Sequence, residues 1–129
     1  MFKKAFTETL IVSLILFAIH FGINYLLQSI TNSDVILTHV ILFCLTLGGY
    51  LLLLLMKKVD ETKIGFTFLA VSTIKMLISL SIILILFKGF GRPKIIGVHF
   101  AGMYFFYVVF LAIKTFAMVN DTFNKKKGN

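Results

Sequence analysis

The residues of this chain able to do chemistry are a few polar side chains set inside long apolar runs. Lys75 stands within the run Ile64 to Phe87, with Ser72 and Ser79 about one helical turn to either side of it. His20 and Asn24 interrupt Leu10 to Ile30, His39 interrupts Val35 to Met56, and His99 interrupts Ile95 to Val119. A lysine near the middle of an apolar helix is costly, about 2.5–3.5 kcal/mol at a bilayer centre. It lies too far from either interface for its stem to reach headgroups. Its natural complement is a carboxylate. The five acids, Glu8, Asp34, Asp60, Glu61 and Asp121, all fall at run ends or between runs. Glu8, the nearest in a bundle, would stand about 15 Å away along the axis. Lys75 is therefore expected to lean on Ser72, Ser79, His20 and trapped water, or on a carboxylate that another protein brings into the membrane.

Other chemistries find little support. His20, His39 and His99 belong to three different runs, and no acid at matching depth orients any of them as a catalytic base. His39 and His99 lie at equal depth, which would suit a titrating or metal-binding pair. Two imidazoles without a third ligand favour hydrogen bonding instead, so no metal and no cofactor are expected. No phosphate-binding glycine loop or paired carboxylate occurs, and the chain reads as a non-enzyme. Lys114, five residues from the end of its run, is expected to snorkel to headgroups. Cys44, the lone cysteine, is expected to be a small core residue.

The elements that must position these groups are membrane helices. The chain has 129 residues, of which 59% are hydrophobic, and its mean hydropathy is +1.00. Four apolar runs, 10–30, 35–56, 64–87 and 95–119, each hold about 20 residues or more, enough to cross ~30 Å of hydrocarbon. None carries the charged face of a soluble amphipathic helix. The expected fold is all-α, a polytopic four-transmembrane-helix bundle in one membrane domain, 1–129, with a tail, 120–129, disordered towards its end. Thr31-Asn32-Ser33-Asp34 is expected to form the first turn, and Pro93 with its neighbouring glycines to stop the third helix. The first run is too long for a signal peptide and shows no cleavage site, so it is expected to stay in place.

Charge sets the orientation. The net charge is +8, but the basic residues flank the apolar runs instead of forming a stripe with exposed aromatics, which argues against nucleic acid and for lipid headgroups. Lys3, Lys4, Lys57, Lys58, Lys63, Lys125, Lys126 and Lys127 would share one side, against Lys88, Arg92 and Lys94 on the other. The positive-inside rule then places both termini in the cytoplasm. Within the helices, polar and small residues fall into stripes expected to face inward: Ser13, His20, Asn24 and Gln28; His39, Thr46, Gly49 and Tyr50; Gly65, Ser72, Lys75 and Ser79; Gly97, Ala101, Tyr104 and Thr115. Gly48-Gly49 reads as a packing notch, and Leu51 to Leu55 as lipid-facing.

The stretch Phe66-Thr67-Phe68-Leu69-Ala70-Val71-Ser72-Thr73-Ile74-Lys75-Met76-Leu77, followed by an apolar run and an aromatic fourth span ending at Val119-Asn120, resembles the ATP synthase protein I group of small four-span bacterial proteins. The resemblance covers the C-terminal half. It implies a bacterial inner-membrane accessory protein that assists assembly or stability of the rotary ATP synthase membrane sector. Lys75, with Ser72, Ser79, His20 and Asn24 nearby, would then meet a carboxylate of that sector's subunits. A competing expectation from the residues is a small transporter or flippase component with a polar cavity around His20, Asn24 and Lys75. A homo-oligomer is compatible with either.

Overall fold

The computed structural model describes residues 2–28, 30–89, 91 and 94–128. Among them are four long α-helices: α1 (Phe2–Leu27), α2 (Asn32–Val59), α3 (Ile64–Gly89) and α4 (Ile95–Lys127). Each is long and apolar enough to cross a membrane, the architecture of a multi-pass membrane protein. Helix is the form these sequences must take in lipid, because only there does each segment satisfy its own backbone.

α2, α3 and α4 run further than their apolar runs, and α1 starts earlier than its run but stops at Leu27, short of Ile30. The expected disordered tail is instead the last turns of α4, which continues to Lys127. Asp121 on it pairs with Lys57 at 2.9 Å, and Thr122 donates to Glu61 at 3.1 Å, so the polar end of α4 is fastened to the connection between α2 and α3. The first turn is also shorter than expected. Asn32, Ser33 and Asp34 already belong to α2, and Thr31 is its N-cap, its hydroxyl accepting from the Asp34 amide at 3.2 Å. Gln28, expected to face inward, is exposed and takes φ 51°, which turns the chain out of α1. Arg92 and Pro93, and with them the expected helix stop, lie outside the described residues. Between α2 and α3, Asp60 caps the short turn Glu61–Lys63. Hydrogen bonds from the Thr62 side chain and then its backbone amide hold the Asp60 carboxyl below the usual range.

α2 packs against each of the other three helices, and α3 also packs against α4. Contacts of Glu8 with α4, of Asp121 with α2 and of Glu61 with α4 put the start of α1 and the end of α4 at the same end of the bundle. One apolar cluster near that end gathers Tyr50, Leu53, Ile64, Val71, Phe110, Leu111 and Met118. A second joins Leu42, Phe100, Met103 and Tyr107. Leu53 is fully buried, so the leucine run is not wholly lipid-facing as expected; five consecutive residues of a helix sweep more than a full turn. Cys44 and Ala101 are exposed where burial was expected. Gly65 is exposed too, because the inner face of α3 runs through Ile64, Val71, Lys75 and Ser79.

Two glycines mark close helix approaches. A Cβ on Gly97 would stand 2.7 Å from the Phe87 ring, and one on Gly49 would stand 2.8 Å from Val71 Cγ1. Gly48, its neighbour, faces open space. A phenylalanine ring can swing aside; the stiff branched Val71 wedged between helices cannot do so easily. Gly49→Ala is therefore expected to lower stability in detergent by about 1–3 kcal/mol, while Gly48→Ala stays within about 0.5 kcal/mol of wild type. Thermal or SDS unfolding midpoints of the two variants check this, and equal midpoints would count against the packing described.

Candidate functional site

Two polar clusters occupy the bundle interior. The first is a continuous hydrogen-bonded chain across α1, α2 and α4. His20 Nδ1 meets His39 Nε2 at 3.0 Å, and His20 Nε2 meets His99 Nδ1 at 2.8 Å. His39 Nδ1 meets the Tyr107 hydroxyl at 3.0 Å, which in turn meets Ser13 Oγ at 2.7 Å. His20, His39 and Tyr107 are all but sealed from solvent, and His99 is part-exposed. Phe17 packs edge-on against His39, with ring centroids 5.5 Å apart. The three imidazoles lie on separate helices, as expected, but His20, expected beside Lys75, instead joins His39 and His99.

This line of rings is not a metal cage. A metal needs one nitrogen from each imidazole aimed at a common point. His20 instead spends both its nitrogens on different neighbours, and among the described residues no group of three His, Cys, Asp or Glu is arranged to hold an ion. Tyr107 escaped the sequence reading, hidden among the aromatics of α4. Its signal was its heptad relation to Phe100, with which it shares a buried face.

The second cluster is built around Lys75 on α3. Its side chain is 3% exposed. Nζ donates to Thr46 Oγ1 of α2 at 3.2 Å and lies 5.9 Å from the centre of the Tyr104 ring of α4. Tyr104 in turn donates to the Ser72 carbonyl at 3.4 Å. The expected helpers do not serve: the hydroxyls of Ser72 and Ser79 are buried and bond nothing among the described residues, and His20 belongs to the imidazole chain. Thr46 takes their place because α2 is the helix α3 packs on.

Every carboxylate of the chain is engaged elsewhere. Glu8 accepts from Tyr50 and pairs with Lys114 at 2.9 Å; Asp34 accepts from Thr31; Asp60 is held by Thr62 and Lys63. Glu61 and Asp121 fasten α4. Lys114 thus does not simply snorkel, as expected, but is neutralised within the bundle by an acid of the same end. Of the Lys75 ammonium's three donors, one finds an acceptor among the described residues.

Asn24 is not part of either cluster. Its amide donates to the Ile30 carbonyl at 2.8 Å and its oxygen accepts from the Ile30 amide at 3.0 Å, which clamps the turn after α1. His20, Asn24 and Lys75 accordingly sit in three separate bonding groups and do not frame one polar cavity.

Beside Lys75 the bundle surface opens. Cys44, Gly48, Leu52, Ile74, Lys75 and Ile78 line a groove of about 200 Å³ between α2 and α3. Exposed Ile74 and Leu52 form its banks, and the missing side chain of Gly48 deepens it.

No protein-family model matches this chain, and no curated protein or solved structure matches it either.

The Asn24 clamp makes a direct prediction. In Asn24→Ala the Ile30 amide should lose protection and exchange with deuterium at least about tenfold faster, the loss of one hydrogen bond at about 1–1.5 kcal/mol. Unchanged protection by exchange mass spectrometry would refute the clamp.

Proposed function

We propose that this protein is a non-enzymatic membrane accessory protein that receives a partner's transmembrane helix in the groove between α2 and α3, where Lys75 meets a carboxylate carried by that helix. The observation that supports this reading most is Lys75 itself: a mid-helix lysine on the wall of a lateral groove, with all five acids of its own chain committed to other groups. Two of its donors have no acceptor among the described residues, and a hydrocarbon medium offers none. A carboxylate seated in the groove supplies that acceptor and offsets the cost of the buried cation.

Small residues are what such docking needs. Without a hydrophobic driving force in lipid, helices associate where backbones approach closely and polar groups pair. Gly48 gives the close approach and Lys75 the polar pair. The resemblance of Phe66 to Leu77 to the ATP synthase protein I group names a fitting partner, the membrane sector of a rotary ATP synthase, whose ring subunits carry a buried carboxylate. On this reading the protein lies in a bacterial inner membrane with both termini in the cytoplasm, where the excess of flanking lysines belongs, and it assists assembly or stability of that sector. The groove is flanked by lipid-exposed leucine and isoleucine, as entry from the bilayer requires.

The test is a mild-detergent pull-down from native membranes. Wild type should retain synthase membrane-sector subunits, and Lys75→Leu should lose them by about tenfold or more, since removing one member of a buried charge pair costs about 2–5 kcal/mol. Gly48→Leu puts a side chain into the groove at a position where an added Cβ meets nothing, so it should block retention while leaving the thermal midpoint close to that of wild type. Retention by both variants at the wild-type level would sink the proposal. A wild type that retains other membrane proteins but no synthase subunit would remove the synthase as partner.

A further inference from the structure

The imidazole chain takes no part in the docking of Lys75. We propose that His99, His20, His39, Tyr107 and Ser13 form a proton relay, which gives protons access from the α1–α2 turn end of the bundle to its interior. Four successive bonds of 2.7–3.0 Å join five groups that can each donate and accept. The outer member, His99, is part-exposed, and those that follow are buried. A chain of neutral groups of this kind has two complete bonding patterns, which differ only in direction. In the first, His99 donates to His20, His20 to His39, His39 to Tyr107 and Tyr107 to Ser13. In the second every one of these bonds is reversed.

Passage of one proton converts the first pattern into the second. A proton binds His99 Nε2, and the proton on His99 Nδ1 moves to His20 Nε2. The His20 Nδ1 proton moves to His39 Nε2, and the His39 Nδ1 proton moves to the Tyr107 oxygen. The former Tyr107 proton passes to Ser13, whose own hydroxyl proton passes to a water molecule on the inner side. One proton enters, one leaves, no charge remains on the chain, and no bond to a heavy atom other than N–H and O–H changes. The next hydroxyl on the same face of α1 is Thr9, buried and without a hydrogen-bond partner among the described residues. It stands one turn beyond Ser13, where its hydroxyl can hold the water that takes the proton.

The titratable groups of the relay come from α1 (His20), α2 (His39) and α4 (His99 and Tyr107). Among the described residues α3 adds none, because its Lys75 bonds Thr46 of the other cluster. After one transfer the chain is in its reversed pattern and passes no second proton until its groups reset. From His20 to Ser13 the path runs about 10 Å along α1, a third of the ~30 Å hydrocarbon thickness.

The relay therefore predicts charge displacement without steady conduction. The full-length protein in vesicles on a solid-supported membrane should answer an acidifying pH jump with a transient current and no sustained one. His20→Gln keeps a donor and an acceptor in place but cannot hand on a ring proton, and should lose the transient at least about tenfold, to the level of protein-free vesicles. Tyr107→Phe ends the path at His39 and should reduce the displaced charge. A wild-type response no larger than that of protein-free vesicles, or an undiminished response in His20→Gln, overturns the proposal. Because either variant could be damaged in folding, wild type carries a second test. Nitrogen-15 spectra of its histidines in bilayers should show both Nδ1–H and Nε2–H forms of His20 and His39. A single fixed tautomer at both positions would equally reject the relay.

Discussion

Attachment of α1 to the rest of the bundle rests on polar side chains, and the remaining architecture follows from that constraint. α1 packs closely on α2 alone, yet three polar links tie it to α4: Glu8 to Lys114, Ser13 to Tyr107 and His20 to His99. They are spread over twelve positions of α1, about 18 Å of helix. In water an apolar stripe would supply this attachment. In lipid, tails and leucines are alike in polarity, and the hydrophobic effect does not choose between them. Hydrogen bonds that have no water to exchange with do choose, because a misplaced helix would leave them unmade. The links thus fix both the rotation of α1 and its register against α4.

The same constraint separates the two interior clusters while keeping them on shared helices. His39 and Thr46 lie seven residues apart on α2, two turns along one face, and Tyr107 and Tyr104 lie three apart on α4. One member of each pair serves the imidazole chain and the other serves Lys75. Leu42, Phe100 and Met103 pack with Tyr107, and Tyr104 packs against the same apolar cluster. A rotation of α4 that opened one cluster would disturb the other. Each is held in place partly by its neighbour.

How much of this could be read from the sequence depends on the helix ends. Apolar runs locate four membrane-length helices well, because lipid demands unbroken apolarity and the demand is written residue by residue. Inward stripes were legible for Ser13, His20, Asn24, His39, Thr46 and Lys75, all of them buried. The pairing of those stripes was not. Hydropathy carries the first run to Ile30, whereas α1 stops at Leu27 and the chain turns. Counted from the true ends, His20 lies seven residues before Leu27 and His39 seven residues after Asn32, so the two imidazoles share a depth. Counted from the apolar run, His20 drops to the level of Lys75, and the wrong partner follows. The Glu8–Lys114 pair was not legible either, because the sequence sets Glu8 against Lys75 and Lys114 against the headgroups, and neither comparison brings the two to one depth. The groove beside Lys75 depends on how far α2 and α3 splay, which no local pattern records.

The two clusters differ in one respect that bears on what each is for. In the imidazole chain His20 and His39 have both ring nitrogens engaged, and the Tyr107 hydroxyl is bonded on two sides. Such a network gains little by binding anything from outside, and its freedom is internal, in the direction of its bonds. The Lys75 cluster is the opposite case. Among the described residues its cation has one acceptor and two hydroxyls on its own helix have none, and a groove opens beside it. Buried polar groups left short of partners cost stability in any fold, and more so where water is scarce. The imidazole chain is closed upon itself, whereas the Lys75 site is open at the groove, and that difference is what the proposed docking of a partner's carboxylate rests on.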